Sequence, residues 1–226
     1  MTFSIAARCP DTGMFGVTVT SSSICVASRC AFTRAGVGAA QSQNITDPEL
    51  GKRLLDLCEG GASAENALAQ VVEETSNIQW RQLAIVDRNG NTACFSGEET
   101  LGVNGMAQGE GCVAMGNLLE NIAVPDAMVE AFENSKGHLA DRLLTALQAG
   151  VDSGGEAGPI HSAGVKVVSE LGWPIVDLRV DWDPEEDNAI LQLDKIWREY
   201  EPQMLPYITR AVNPSGSESY GVPGEE

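Results

Sequence analysis

Met1-Thr2-Phe3-Ser4-Ile5-Ala6-Ala7-Arg8, followed by Pro10-Asp11-Thr12-Gly13 and then Phe15-Gly16-Val17-Thr18-Val19, decides the fold. Phe3, Ile5 and Ala7 alternate along the first stretch, the period of a strand. Pro-Asp-Thr-Gly supplies turn residues, and Phe15, Val17 and Val19 alternate on the return. The pattern predicts a β-hairpin whose first strand starts at the second residue. That start gives Thr2 a special meaning. A small residue after the initiator Met allows an aminopeptidase to remove it, so the expected mature chain begins at Thr2. A hydroxyl and a free α-amine then share one residue, and the amine is a built-in base for acyl transfer by the hydroxyl. The plainer alternative is an ordinary Met-Thr start that merely begins a strand.

Working outward, Ile24–Ala27 reads as a strand continuation or a loop. Ala35–Gln41 reads as a strand of very small residues, which another layer or a substrate approaches closely. Thr46-Asp47-Pro48-Glu49 is a helix start, and Leu50, Leu54, Leu55, Leu57 and Cys58 give the helix a broad apolar face. Gly60-Gly61 ends it, and Ser63 caps a second helix burying Ala64, Ala67, Leu68, Val71 and Val72. A hairpin follows, Leu83–Asp87 with Thr92–Phe95 around Asn89-Gly90, and then a short strand, Gly111–Gly116. Helices are expected over Pro125–Asn134 and His138–Ala149, closed by Gly137 and Gly150. A last hairpin joins Gly164–Val168 to Ile175–Val180, and a helix runs over Glu185–Glu201. Helices come in consecutive pairs between β-blocks. This disfavours a doubly wound parallel sheet and favours antiparallel sheets with helices on their outer faces. The domain is expected over 1–210, with 211–226 a flexible acidic tail.

At 226 residues the chain is long enough for one domain with a proper core. With 14 basic against 32 acidic residues its formal charge is −18, which opposes nucleic-acid or anionic-membrane partners. No signal segment and no run of transmembrane length is read, so a cytoplasmic protein is expected. The six Cys form no Cys-x-x-Cys and lie far in sequence from His138 and His161, so neither a metal nor another cofactor is expected. Gly36-x-Gly38 lacks the third Gly of a dinucleotide loop. The acidic run Asp181–Asp187 lacks calcium-loop spacing. Cys9 and Cys25 read as buried thiols.

The chain resembles a family of unknown function classed with the N-terminal-nucleophile (Ntn) hydrolases, domain of unknown function 1028. The motifs that carry the resemblance are Thr2–Arg8, Thr12-Gly13-x-x-Gly16-Val17-x-Val19, Arg34–Ala39, Arg81-Gln82-Leu83-x-x-Val86-Asp87, Gly116-Asn117-Leu118, Leu139–Leu144 and Val176–Asp181. Each is weak alone; their order together is specific and covers about residues 2 to 181. The resemblance implies an α+β fold, a four-layer αββα sandwich of two stacked antiparallel sheets. It also implies an amide-hydrolysing activity on a small amide or cyclic amide, with Thr2 as nucleophile.

Proteasome-like Ntn hydrolases carry a Lys at the start of a strand beside the nucleophile, and Arg34 is the candidate for that place. A surface Arg at a strand end is the equal alternative. Those enzymes also carry an acid on the second strand, where this chain has Thr20-Ser21-Ser22-Ser23. Ser21 or Ser23 then becomes the group that orients the amine. Asn117 is the candidate oxyanion donor, against the alternative of an Asn at a turn. Gln41 and Gln43 are candidates to read a substrate amide, against exposed edge positions. His161, in a stretch where relatives carry Arg and Gln, is a candidate acid–base group. A homo-oligomer is a further expectation. The competing reading is a scaffold without turnover, serving as a ligand-binding or assembly module.

Overall fold

The computed structural model describes residues 1–185 and 188–222. Glu186 and Asp187 of the acidic run, and residues 223–226 of the expected tail, lie outside the described residues.

The opening hairpin forms as read, with β1 (Thr2–Arg8) and β2 (Phe15–Ser21) pairing antiparallel from Thr2 opposite Ser21 to Arg8 opposite Phe15. On its other side β1 pairs with β8 (Cys112–Asn117), which places Thr2 opposite Asn117. With β7 (Gly105–Gly109), β9 (Ser162–Val168) and β10 (Pro174–Val180) they make a six-stranded sheet in the order β10-β9-β2-β1-β8-β7. A second sheet has the order β3-β4-β5-β6, from β3 (Ala31–Arg34), β4 (Gly38–Asn44), β5 (Arg81–Asp87) and β6 (Thr92–Ser96). Every strand pair in both sheets is antiparallel.

Alternation along β1 sets up the layers. Phe3, Ile5 and Ala7 pack under α4 (Val124–Asn134), α5 (Leu139–Asp152) and α6 (Asn188–Val212). Burying Phe3 fully contributes roughly 2–3 kcal/mol. Ala6, with Val17, Val19, Val113 and Met115, faces the second sheet, where Ala39, Ala84 and Val86 meet it. On the far side of that sheet lie α2 (Pro48–Glu59) and α3 (Ala64–Glu74), over Ala40, Leu83 and Ile85. The result is four layers, helices–sheet–sheet–helices.

The helix starts follow their sequence signals. The Asp47 carboxylate accepts from the Glu49 N–H, and the Ser63 hydroxyl from the Asn66 N–H. Several elements differ from the sequence reading. Ile24–Ala27 leads into a five-residue helix, α1 (Val26–Cys30), entered through Cys25 in the left-handed region. Gly150 lies inside α5 instead of ending it; a Cβ there would stand 2.8 Å from the Phe3 ring, so the glycine lets the helix sit close on β1. β3 and β7 were too short for a period to show. The last helix runs on to Val212 through Pro202 and Pro206, because Tyr200, Met204 and Ile208 continue the stripe that packs on the core. Its buried Trp197 donates its indole N–H to Asp141 of α5 at 2.9 Å. Beyond Val212 the Arg210 guanidinium stacks on Tyr220 at 3.8 Å and reaches the Glu218 carbonyl. Among the described residues no helix is long and apolar enough to cross a membrane.

Candidate functional site

The even-numbered positions of β1 face the second sheet, and the first two are polar. Thr2, Ser4, Ser21 and Asn117 come from the six-stranded sheet; Gln41, Gln43 and Gln82 come from the other. All seven are buried, Thr2 with 8% of its surface exposed. Removing so many polar groups from water is unfavourable unless each finds a partner. Here the Ser4 hydroxyl donates to Gln43 Oε1 at 2.6 Å, and Gln43 Nε2 donates to Gln82 Oε1 at 2.9 Å. Gln82 Nε2 donates to the Gly116 carbonyl at 3.0 Å, and Asn117 Nδ2 donates back to Gln82 Oε1 at 3.2 Å. Gln41, in the amide orientation that satisfies both groups, accepts from the Ile5 N–H at 3.0 Å and the Ala6 N–H at 3.2 Å. The network ties the second sheet to both flanks of the Thr2 strand.

Thr2 sits at the open end of this layer. Its Oγ1 lies 3.1 Å from Ser21 Oγ, and both hydroxyls donate to the Met1 carbonyl. Ser21 Oγ in turn accepts from the Ser23 N–H at 3.0 Å, which fixes its orientation. The Met1 side chain rests against Gly158, where a Cβ would stand 2.5 Å from its methyl carbon. The chain leaves β8 through Leu118 with φ 51°, left-handed backbone that costs a non-glycine residue about 1–2 kcal/mol. Such strain directly beside Asn117 marks a position held by its surroundings. Leu118 is clamped from two sides, its N–H on the Leu101 carbonyl and its carbonyl on the Ala157 N–H, each at 3.0 Å.

Thr2, Ser21 and Asn117 are thus together, with Ser21 and Asn117 flanking Thr2 from the two neighbouring strands. Gln41 and Gln43 stand behind them, buried and bonded to β1 or its partners instead of lying at an exposed edge. His161 precedes β9. Its N–H donates to the Ser21 carbonyl at 3.0 Å, and its ring packs on Trp182 with centroids 4.5 Å apart. His161 Nδ1 is 2.8 Å from the Asp183 carbonyl, which only accepts, so Nδ1 is the donor there. Arg34 is placed elsewhere. It pairs opposite Gly38 at the end of β4 remote from Gln43, and its guanidinium binds Asp56 and Glu59 of α2, each at 2.7 Å. That puts it on the outer, helical face of its sheet.

Sequence reasoning missed three participants. Ser4 and Gln82 read as ordinary strand residues, although their parity on the strands assigns them to the same face as Thr2 and Gln43. Glu156 is buried in the Gly155–Gly158 turn, where its Oε2 accepts from the Ser22 N–H at 3.0 Å. No motif marks it.

Among the described residues no His, Cys, Asp and Glu cluster could hold a metal ion. Burial pushes the Cys58 thiol up to about 11, with Asp87 adding to it, and burial with Glu133 nearby pushes Cys112 up to about 12. Both are neutral thiols at neutral pH. Cys9 differs. Burial raises it, but the Thr12 side chain and the Thr12 and Asp11 backbone outweigh that and lower it. It lines an open cavity of about 610 Å³ with Glu133, Lys136 and Arg142, just past the end of β1 opposite to Thr2.

No curated protein matches the chain. Among solved structures, a protein of the DUF1028 family from Silicibacter pomeroyi matches with a TM-score of 0.82 and 32% identity, over 88% of this chain and 85% of that one. Anbu (ancestral beta-subunit) from Yersinia bercovieri matches with a TM-score of 0.40 and 10% identity, over 90% and 96%. Anbu from Hyphomicrobium sp. strain MC1 matches with 0.40 and 10%, over 92% and 98%. The sequence profile of the family of unknown function DUF1028 matches residues 2–190, and the chain belongs to that family.

Proposed function

We propose that the chain is an N-terminal-nucleophile amidohydrolase for a small amide or cyclic amide, with Thr2 as nucleophile once Met1 is gone. The observation that carries this reading is the position of Thr2, at the head of a central strand and flanked by Ser21 and Asn117. In the reaction the Thr2 amine takes the proton of Oγ1 while the oxygen adds to the substrate carbonyl. One N–H of the Asn117 amide stays on Gln82, and the other donates to the oxyanion that develops. Ser21, oriented by the Ser23 N–H, holds the amine or the carbonyl. The protonated amine then returns its proton to the leaving nitrogen, and water releases the acyl group from Thr2. The reading requires no metal or cofactor. The protein works in the cytoplasm as a homo-oligomer, with no nucleic-acid or membrane partner.

One observation favours a second reading. With Met1 in place its carbonyl is held by two hydroxyls and its side chain fits against Gly158, so the fold accommodates a blocked Thr2. A chain that keeps Met1 is a binding or assembly scaffold. Intact mass of protein from its native host, followed by a panel of small amides, lactams and acylated amino acids, decides between them. Turnover by the chain beginning at Thr2, and none by the chain retaining Met1, is expected. Equal turnover by both would defeat the nucleophile reading.

A further inference from the structure

Beyond Asn117, where β8 ends, the chain runs on as Leu118–Glu120, and a second segment runs beside it. The Ala157 N–H donates to the Leu118 carbonyl at 3.0 Å, and the Glu120 N–H donates to the Gly155 carbonyl at 3.1 Å. Leu119 and Glu156 form an antiparallel bridge. The other flank of Leu118–Glu120 is taken by residues 101–103, through the Leu118 and Leu119 N–H groups. Residues 155–157 therefore lie on the side that β1 occupies one step earlier. On the opposite flank the Glu156 carboxylate reaches the Ser22 N–H, just past the end of β2. The turn thus fills the lane of β1 in the sheet, head-on to its first residue, and Gly158 touches Met1. Its one acidic side chain is 7% exposed.

From this we infer that Glu156 is the positioning carboxylate for the α-amine of a chain that begins at Thr2. The inference rests on the nucleophile reading and extends it. The second strand offers only Thr20-Ser21-Ser22-Ser23, so the acid comes from another part of the chain and enters along the strand axis. As Oγ1 adds to the substrate carbonyl, its O–H bond breaks and an N–H bond forms on the amine. Glu156 lies where it meets the ammonium so formed, and holds it until the proton passes to the leaving nitrogen.

Polar and titratable groups near the head of β1 come from neighbouring elements. Ser21 comes from β2, and His161 from the segment before β9, with Nδ1 committed to the Asp183 carbonyl. The Asp183 carboxylate is taken by the Glu185 N–H and Asn188. On the α1 side stands Cys30, a thiol that burial raises, partly countered by Thr46, Arg29 and the Met1 amino terminus.

The test is an NMR titration of the Thr2 α-amine in the chain that begins at Thr2, labelled with carbon-13 and nitrogen-15 at Thr. A neighbouring carboxylate raises proton affinity, so Glu156→Gln should lower it about tenfold, one unit in the midpoint, while its amide oxygen keeps the Ser22 contact. An unchanged midpoint overturns the inference. Should Glu156→Gln fail to fold, the wild type alone decides: its midpoint must stand above that of the urea-unfolded chain, and one at or below it overturns the inference. Full retention of Met1 in the native protein also overturns it, because no Thr2 amine then exists. The titration needs no turnover. A Thr2→Ala enzyme that still hydrolysed amides would sink the nucleophile reading and leave a shifted midpoint standing.

Discussion

Between the two sheets, Ala6, Val17, Val19, Val113 and Met115 meet Ala39, Ala84 and Val86 in a dry apolar layer. Two residues further along the same strands, Ser4, Thr2, Ser21 and Asn117 meet Gln41, Gln43 and Gln82, equally buried and entirely polar. The same strands, in the same register, run through both halves. Only the side chains change. The apolar half is held by non-directional contact, which tolerates small adjustments. The polar half holds only if each amide points at a particular partner, so it fixes geometry. A fold that needed nothing but cohesion would have carried the aliphatic pattern to the strand ends. Seven polar residues are buried instead at the end where Thr2 sits, and the proposed site rests on them.

The sharpest way to break this contrast is Thr2→Ala. The change removes the hydroxyl and leaves the β1 backbone bonds, so hydrolysis should vanish while the thermal midpoint hardly moves. Thr2→Ser should keep part of the rate. In the wild type the rate should fall as the amine protonates, with a midpoint about 7–8 for an ordinary α-amine and higher with Glu156 beside it. The next largest effect is expected at Asn117→Ala. Losing an oxyanion donor should lower kcat by roughly 10²–10³ with a much smaller change in KM, read from steady-state kinetics. If KM rose and kcat held, Asn117 would be a binding group instead.

Met115→Ala tests the other half. It lies two residues from Asn117 on the same face, but in the apolar layer. Truncating a fully buried Met should cost about 2–5 kcal/mol in chemical denaturation and leave kcat of the folded enzyme nearly unchanged. A loss of kcat on the scale of the Asn117 variant would show that the halves are not separable.

This division was partly legible in the sequence. Phe3, Ile5 and Ala7 announced β1, and the paired helices favoured antiparallel sheets with helices outside, because period and capping are local signals; the stacking of two sheets was implied by the family resemblance. Thr2, Ser21 and Asn117 could be named as candidates because each lies at an end of a readable strand, and the strand register sets them side by side. What distance hid was pairing. Ser4 and Gln82 are 78 residues apart and meet only through Gln43, a relation that depends on how two sheets face each other. Glu156 was hidden for the same reason: a carboxylate in a glycine-rich turn has no periodicity to betray what it lies against. β3 escaped because four residues cannot display a period.

Arg34 carries the smallest expected effect, and its value lies in how little it should do. From sequence it is the natural cation for a nucleophile, since it opens the small-residue stretch of the second sheet. The register sends it the other way. Opposite Gly38 it stands at the far end of β4 from Gln43, and its guanidinium is divided between Asp56 and Glu59, both largely exposed. Ion pairs screened in this way contribute little, so Arg34→Ala should cost at most about 1 kcal/mol of stability. Its effect on kcat and on the pH midpoint should be nil, because no charge near Thr2 has been removed. A shift of that midpoint in Arg34→Ala would mean that the outer helical face is electrically coupled to the polar layer. The two halves of the sandwich would then differ in composition but not in isolation from the surface.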